Sequence, residues 1–176
     1  MIKKLCLLMA LATVMAGCTG SDNPAENRAR KALKSKGDIL IGAAAPWAAK
    51  QDLLWEGISM AVDEINRNGG LLNGRKIKVI QGDDKGDLTT GQLVAQSFAD
   101  DENVVAVLGH SASYISIPVS IIYQYYGIVM ISPVSTNVKL TSQGYRKIFR
   151  NIPSDRIFGE KIAQFCRDHG FSNILI

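Results

Sequence analysis

From Asp38 onward, short apolar runs rich in β-branched residues alternate with segments of helical apolar spacing. Parallel strands need crossovers long enough to hold a helix, so this alternation points to a parallel sheet covered by helices. "DILIGAA" (38–44) predicts the first strand. A helix over 52–68 carries Leu54, Ile58, Ala61, Val62 and Ile65 on one stripe and stops at Gly69-Gly70. "KIKVIQGDD" (76–84) predicts the second strand, and Asp87 the cap of a helix running to Asp100, with Val94 and Phe98 facing the core. "VVAVLG" (104–109) has the unbroken apolar character of a strand buried on both faces. A helix from Ser113 to Gly127, a strand "IVMIS" (128–132), a loop rich in Ser, Thr and Asn, and an extended "RKIFRNI" (146–152) complete the series. The fold class is therefore α/β, a doubly wound parallel five-stranded sheet over 38–153.

After Pro153 a further unit opens. Helical spacing at Ile157, Ile162, Ala163 and Cys166 runs over 155–169 and leads through Gly170 to the apolar "NILI". A helix and one strand have no sheet of their own, so 154–176 read as a crossover and the truncated start of a second lobe. The other reading adds 173–176 to the edge of the first sheet.

The residues before the domain carry a different signal. Lys3 and Lys4 precede an apolar run over 5–16 that is too short for a comfortable membrane span, and 1–17 read as a secretory signal. Met15-Ala16-Gly17-Cys18 resembles a lipobox, which makes Cys18 the expected lipid attachment site and the chain an exported lipoprotein facing the periplasm or cell exterior. Residues 18–37, "CTGSDNPAENRARKALKSKG", are polar with little apolar periodicity and read as a lipid-anchored tether, the alternative being a short exposed helix over 28–36. Its basic residues can rest on anionic lipid in either case.

The chain has 20 basic and 16 acidic residues, net +4, but from Asp38 on the balance is 13 to 14. The excess belongs to the leader and tether, which excludes nucleic acid as a partner of the folded part. Of three cysteines only Cys166 remains in the domain, so no internal disulfide forms there, and Cys166 is expected as a small core residue.

In an open parallel sheet, ligands bind beyond the carboxyl ends of the strands. Three loops meet that edge: Ala45-Pro46-Trp47, His110 to Ser113, and Pro133 to Asn137. They bring Trp47, Ser111, Ser113, Ser135, Thr136 and Asn137 together. The helix beginning at Ser113 aims its first N–H groups at the same edge, where a carboxylate is favoured by roughly 0.3–1 kcal/mol per charge–dipole contact. Ser113 and Thr136 can add hydroxyl donors, and the alternative is that Ser113 only caps the helix.

The stretch "VLGHSASYISIPVSIIYQYYGIVMISPVSTNVKLT" resembles the core of the branched-chain amino acid binding proteins, the type I periplasmic solute-binding family of ABC transporters. "GISMAVDEINRNGGLLNGRKIKVIQGDD" and "YRKIFRNIPSDRIFG" resemble the family's first helix and second strand and its crossover into the second lobe. The resemblance implies an amino-acid ligand, an inner-membrane permease as partner, no cofactor, and no catalysis. It implies that Ser113 binds the ligand carboxylate and that Ser135 and Thr136 hold carboxylate and ammonium, with Trp47 and Ser111 in ligand-facing loops. Some members link the acidic loop to the turn after the third strand by a disulfide; Asp87 and Ala112 stand at those places here. The implied second lobe supplies the residues that read the ligand's side chain.

Three rival chemistries are weaker. Gly109-His110-Ser111-Ala112-Ser113 comes within one residue of the G-x-S-x-G nucleophile elbow, but the final glycine is Ser113 and the only downstream histidine is His169. His110 lacks the neighbouring Cys, His or carboxylates of a metal site. "DDKGD" (83–87) lacks the alternate spacing of a calcium loop, and the twelfth position from Asp83 is Val94, so the run reads as a solvated strand end. A sensor or receptor module of the same fold remains the alternative to a transport protein.

Overall fold

The computed structural model describes residues 23–49, 53–171 and 173. Helix α1 (Pro24–Lys34) precedes a single sheet of β1 (Ile39–Ala45), β2 (Ile77–Asp83), β3 (Val104–Gly109), β4 (Val129–Ser132) and β5 (Ile148–Arg150). Between and after the strands come α2 (Leu54–Arg67), α3 (Leu88–Asp100), α4 (Ser113–Tyr126), the single turn α5 (Lys139–Ser142) and α6 (Asp155–Asp168). All five strands are parallel and lie in the order β2-β1-β3-β4-β5. The chain leaves β1 toward one side to make β2, then crosses to the other side for β3, which puts the topological switch point between β1 and β3. Their ends meet there, with Ala44 opposite Gly109.

The core lies between the sheet and α3 with α4. Phe98, Val107, Ile115, Val119, Tyr123 and Met130 are buried in one cluster. Phe98 lies so close to β1 that a Cβ at Gly42 would come within 2.8 Å of its ring. A glycine in the strand therefore admits a large aromatic, whose burial contributes about 1.5–3 kcal/mol. Asp87 accepts from the Thr90 amide at 2.8 Å, the expected cap of α3. That contact holds the Asp87 carboxyl below its usual range.

Residues 24–34 of the expected tether form a helix docked on the domain, near the alternative of a short helix over 28–36. Asn23 caps it by accepting from the Ala25 amide at 3.0 Å, with Pro24 at its first position. Arg28, only 3% exposed, fixes it to the domain. Its Nε donates to the Tyr126 carbonyl at 2.9 Å, Nη1 to those of Asp101 and Val104 at 2.6 Å each, and Nη2 to that of Ala99 at 2.5 Å. Several of these carbonyls belong to the ends of α3 and α4, where unpaired acceptors and the negative dipole end favour a cation. Burial pushes the guanidinium below its ordinary value, and Glu102 and Asp101 oppose that shift. Lys31 adds a pair with Glu102 at 3.2 Å and Ala25 packs close to Gly127, but the buried anchor is an arginine, which apolar periodicity does not register.

Two further expectations change. The loop after β4 contains α5, whose Leu140 is fully buried. Helix α6 has the expected span but no buried residue, and Ile157, Phe158, Ile162 and Phe165 are about half exposed (47–57%). Cys166 is accordingly half-buried on an unpacked helix and not a core residue. The signal, Cys18 and residues 174–176 lie outside the described residues, so neither the lipobox nor a strand at "NILI" is seen. Among the described residues no helix is long and apolar enough to cross a membrane.

Candidate ligand-binding edge

The carboxyl ends of β1, β3 and β4 meet at the switch point, and Gly109 allows the approach. Its φ is +132°, and a Cβ there would fall 2.1 Å from the Ala44 carbonyl oxygen. Only glycine accepts both demands.

His110, fully buried just beyond β3, organises the loops around it. Its Nδ1 lies 2.8 Å from Asp84 Oδ2 and its Nε2 lies 2.9 Å from the Tyr123 hydroxyl, and both partners are fully buried too. Burial, with a smaller contribution from the Asp84 charge, raises the Tyr123 phenol above its ordinary value, so it keeps its proton. The assignment that satisfies every group has Tyr123 donating to Nε2 and Nδ1–H donating to the carboxylate. The other Asp84 oxygen accepts from the Gly86 amide at 3.0 Å. At the main chain, the His110 carbonyl oxygen lies 2.9, 3.0 and 3.2 Å from the Ser116, Ser132 and Ser135 hydroxyls; Ser132 donates to it, and of the Ser116–Ser135 pair one hydroxyl donates to the other across 2.6 Å and leaves the other to donate to the carbonyl. One residue thus ties the β2–α3 loop, α4 and the β4–α5 loop into a rigid unit.

The candidate residues divide around this hub. Ser113 opens α4 but does not cap it: the cap position is Ala112, with no side-chain bond to the helix amides. The Ser113 hydroxyl instead accepts from the Asn137 amide at 3.3 Å, joining the third and fourth loops. Thr136 is half-buried, and its carbonyl accepts from the Asp155 amide at 3.0 Å and from Arg150 Nη1 at 3.1 Å. Its hydroxyl makes no bond among the described residues. Ser135 is 1% exposed, with its hydroxyl bonded inward to Ser116 at 2.6 Å and to His110. Trp47 sits in a 3-10 turn, donates from Nε1 to the Gly82 carbonyl at 3.0 Å and meets Trp55 edge-on at 5.8 Å between centroids. Ser111 Oγ is buried with no hydrogen-bond partner among the described residues. Such a donor is rare in a folded protein unless something else meets it.

Two residues play larger parts than the sequence suggested. Asp84 falls in "DDKGD", read as a solvated strand end, yet it is fully buried against His110. Of that run, Asp87 caps α3, and Asp83 holds the Lys85 amide at 2.9 Å. Arg150 braces the fourth loop through the Thr136 and Asn137 carbonyls and Thr141 Oγ1. Both are long-range contacts with no local periodicity to announce them. Among the described residues no three His, Cys, Asp or Glu side chains form a metal cluster.

Comparison with known proteins accords with this geometry. Residues 55–176 match the family described as the receptor family ligand binding region. The chain belongs to this family. Over 136 residues it is 37% identical to a Leu/Ile/Val-binding protein homolog of Brucella abortus, covering 75% of this chain and 36% of that protein. It is 38% identical over 117 residues to an amino acid binding protein of Pseudomonas aeruginosa, covering 64% of this chain and 31% of that one. An ABC transporter substrate-binding protein of Desulfitobacterium hafniense, solved in complex with Leu, superposes with a TM-score of 0.73 at 45% identity, covering 76% of this chain and 39% of that structure. The chain therefore has the type I periplasmic binding protein fold and spans about a third of the length of these relatives. The disulfide that the resemblance implies for some members has Asp87 and Ala112 at its places, and Asp87 serves as a helix cap instead.

Proposed function

We propose that this chain is the head-group-binding lobe of an exported, lipid-anchored substrate-binding protein that delivers an aliphatic amino acid, or a related small amide, to an ABC permease. The single observation that carries the reading is the uncapped start of α4 beside the partnerless Ser111 hydroxyl, at the switch point of a sheet. The ligand carboxylate sits at the α4 amides with Ser113 and Ser111 donating to it, and Thr136 and neighbouring carbonyls take the ammonium. Ser135 contributes through its carbonyl, because its hydroxyl and its amide are already bonded inward. Trp47 walls the first loop while its ring nitrogen stays on Gly82. Cys18 carries the lipid.

The named relatives are binding proteins, and the local chemistry agrees. His110, adjacent to Ser111, has both ring nitrogens occupied by Asp84 and Tyr123 and is not available as a base. The family's description as a receptor region supports the second reading, a sensor not coupled to transport. The structural relative described as an ABC transporter substrate-binding protein favours import.

Calorimetry on the protein carrying both lobes tests the proposal. An aliphatic amino acid binds, and Ser113→Ala with Thr136→Ala weakens it by about 3–6 kcal/mol, the loss of two hydrogen bonds to charged groups. Unchanged affinity in that variant would contradict it.

A further inference from the structure

The side of the domain where α1 docks carries a feature the ligand edge does not use. Leu33 on α1 and Leu72 in the turn before β2 are 86% and 70% exposed. They line one open hollow of about 520 Å³, together with Lys34, Lys36 and Arg75, and no carboxylate lines it. On the neighbouring surface Lys31 pairs with Glu102 at 3.2 Å and Lys78 with Asp38 at 2.8 Å, so charge is balanced there. The hollow is built from fixed parts. Arg28 clamps α1, Arg75 Nε donates to the Gly37 carbonyl at 2.6 Å, and Leu71 and Arg75 exchange amide bonds at 2.8 and 2.7 Å across the turn.

We infer that this cationic hollow with its two exposed leucines is a resting surface for an anionic lipid bilayer. Leucine tips flanked by lysines suit the interface, where apolar ends enter the acyl boundary and ammonium groups stay among phosphates. Chain length favours lipid over a soluble acidic partner. This part rests on the proposed lipid at Cys18: residues 19–23 span at most roughly 20 Å, so a lipidated chain holds α1 against the membrane. The helix itself adds only about 16 Å, leaving the hollow within reach of the same surface.

Amide hydrogen exchange of the whole chain on vesicles reads the contact directly, whether lipid or leader holds the chain there. On vesicles of phosphatidylcholine with phosphatidylglycerol, amides of 33–37 and 71–75 exchange roughly tenfold more slowly than on phosphatidylcholine alone. Lys34→Glu with Lys36→Glu, or separately Leu72→Ser, abolishes the difference while β3 amides stay protected, showing that the fold is intact. Equal exchange on both vesicles overturns the inference. So does equal slowing by inorganic phosphate without lipid, which would make the hollow an anion site. The mass of the Cys18 peptide from cells reports lipidation independently, so failure of the anchor and failure of the surface are separate results.

Discussion

At the residue scale, His110 decides how well the candidate edge is held. Its imidazole joins a buried carboxylate to a buried phenol, and its carbonyl gathers Ser132 and the bonded Ser116–Ser135 pair. His110→Ala leaves the Asp84 carboxylate buried with one partner fewer and is expected to cost about 3–5 kcal/mol, seen as a lower urea midpoint. Tyr123→Phe removes one hydrogen bond from an otherwise unchanged core and costs about 1 kcal/mol. Equal losses in the two variants would mean that the His110–Asp84 contact adds nothing. Asp87 gives a pH signature of defined sign. Its folded pKa is depressed, so its stabilisation is fully present above its unfolded pKa and is lost as pH falls through the folded value. Asp87→Asn keeps a capping oxygen but removes that dependence, so the two proteins' melting temperatures should converge on acidification. A constant gap between them would refute it.

At the element scale, strands and helices with their own periodicity were legible in the sequence. Strand β3 announces itself by an unbroken apolar run, and α3 by Asp87 and the spacing of Val94 and Phe98. What stayed hidden depends on partners far along the chain. Helix α1 has no apolar stripe because Arg28 attaches it through carbonyls more than seventy residues away. Asp84 looked like part of a solvated acidic run because its histidine lies 26 positions on. The loops of the candidate edge were visible as Ser- and Thr-rich turns, but nothing local separates Ser135, whose hydroxyl faces inward, from Thr136, whose hydroxyl has no partner among the described residues. Arg28→Met should leave the five strands protected in hydrogen exchange while α1 amides lose protection. Its global cost is about 2–4 kcal/mol, for charge-assisted bonds lost and carbonyls left unpaired. Retained α1 protection would show that the helix docks by other contacts.

At the scale of the whole molecule, the sheet is unequally covered. Helices α3 and α4 seal one face, whereas α2 leaves a cavity of about 370 Å³ bounded by Leu54, Ile58, Leu108, Ile131 and Pro133. Helix α6 adds an apolar stripe of which no residue is buried among the described residues. The 176-residue chain alone should therefore self-associate, and Phe158→Asp with Phe165→Asp should return it to monomer in sedimentation. On the proposed reading, a head group held at this edge leaves its opposite face in water, so binding by this chain should be weak. Amide chemical shifts of this chain titrated with leucine read that directly. Millimolar leucine should move Ser113, Tyr114 and Thr136, and the corresponding amine without a carboxylate should leave them in place. Shifts elsewhere, or equal shifts with the amine, would contradict a carboxylate held at the start of α4.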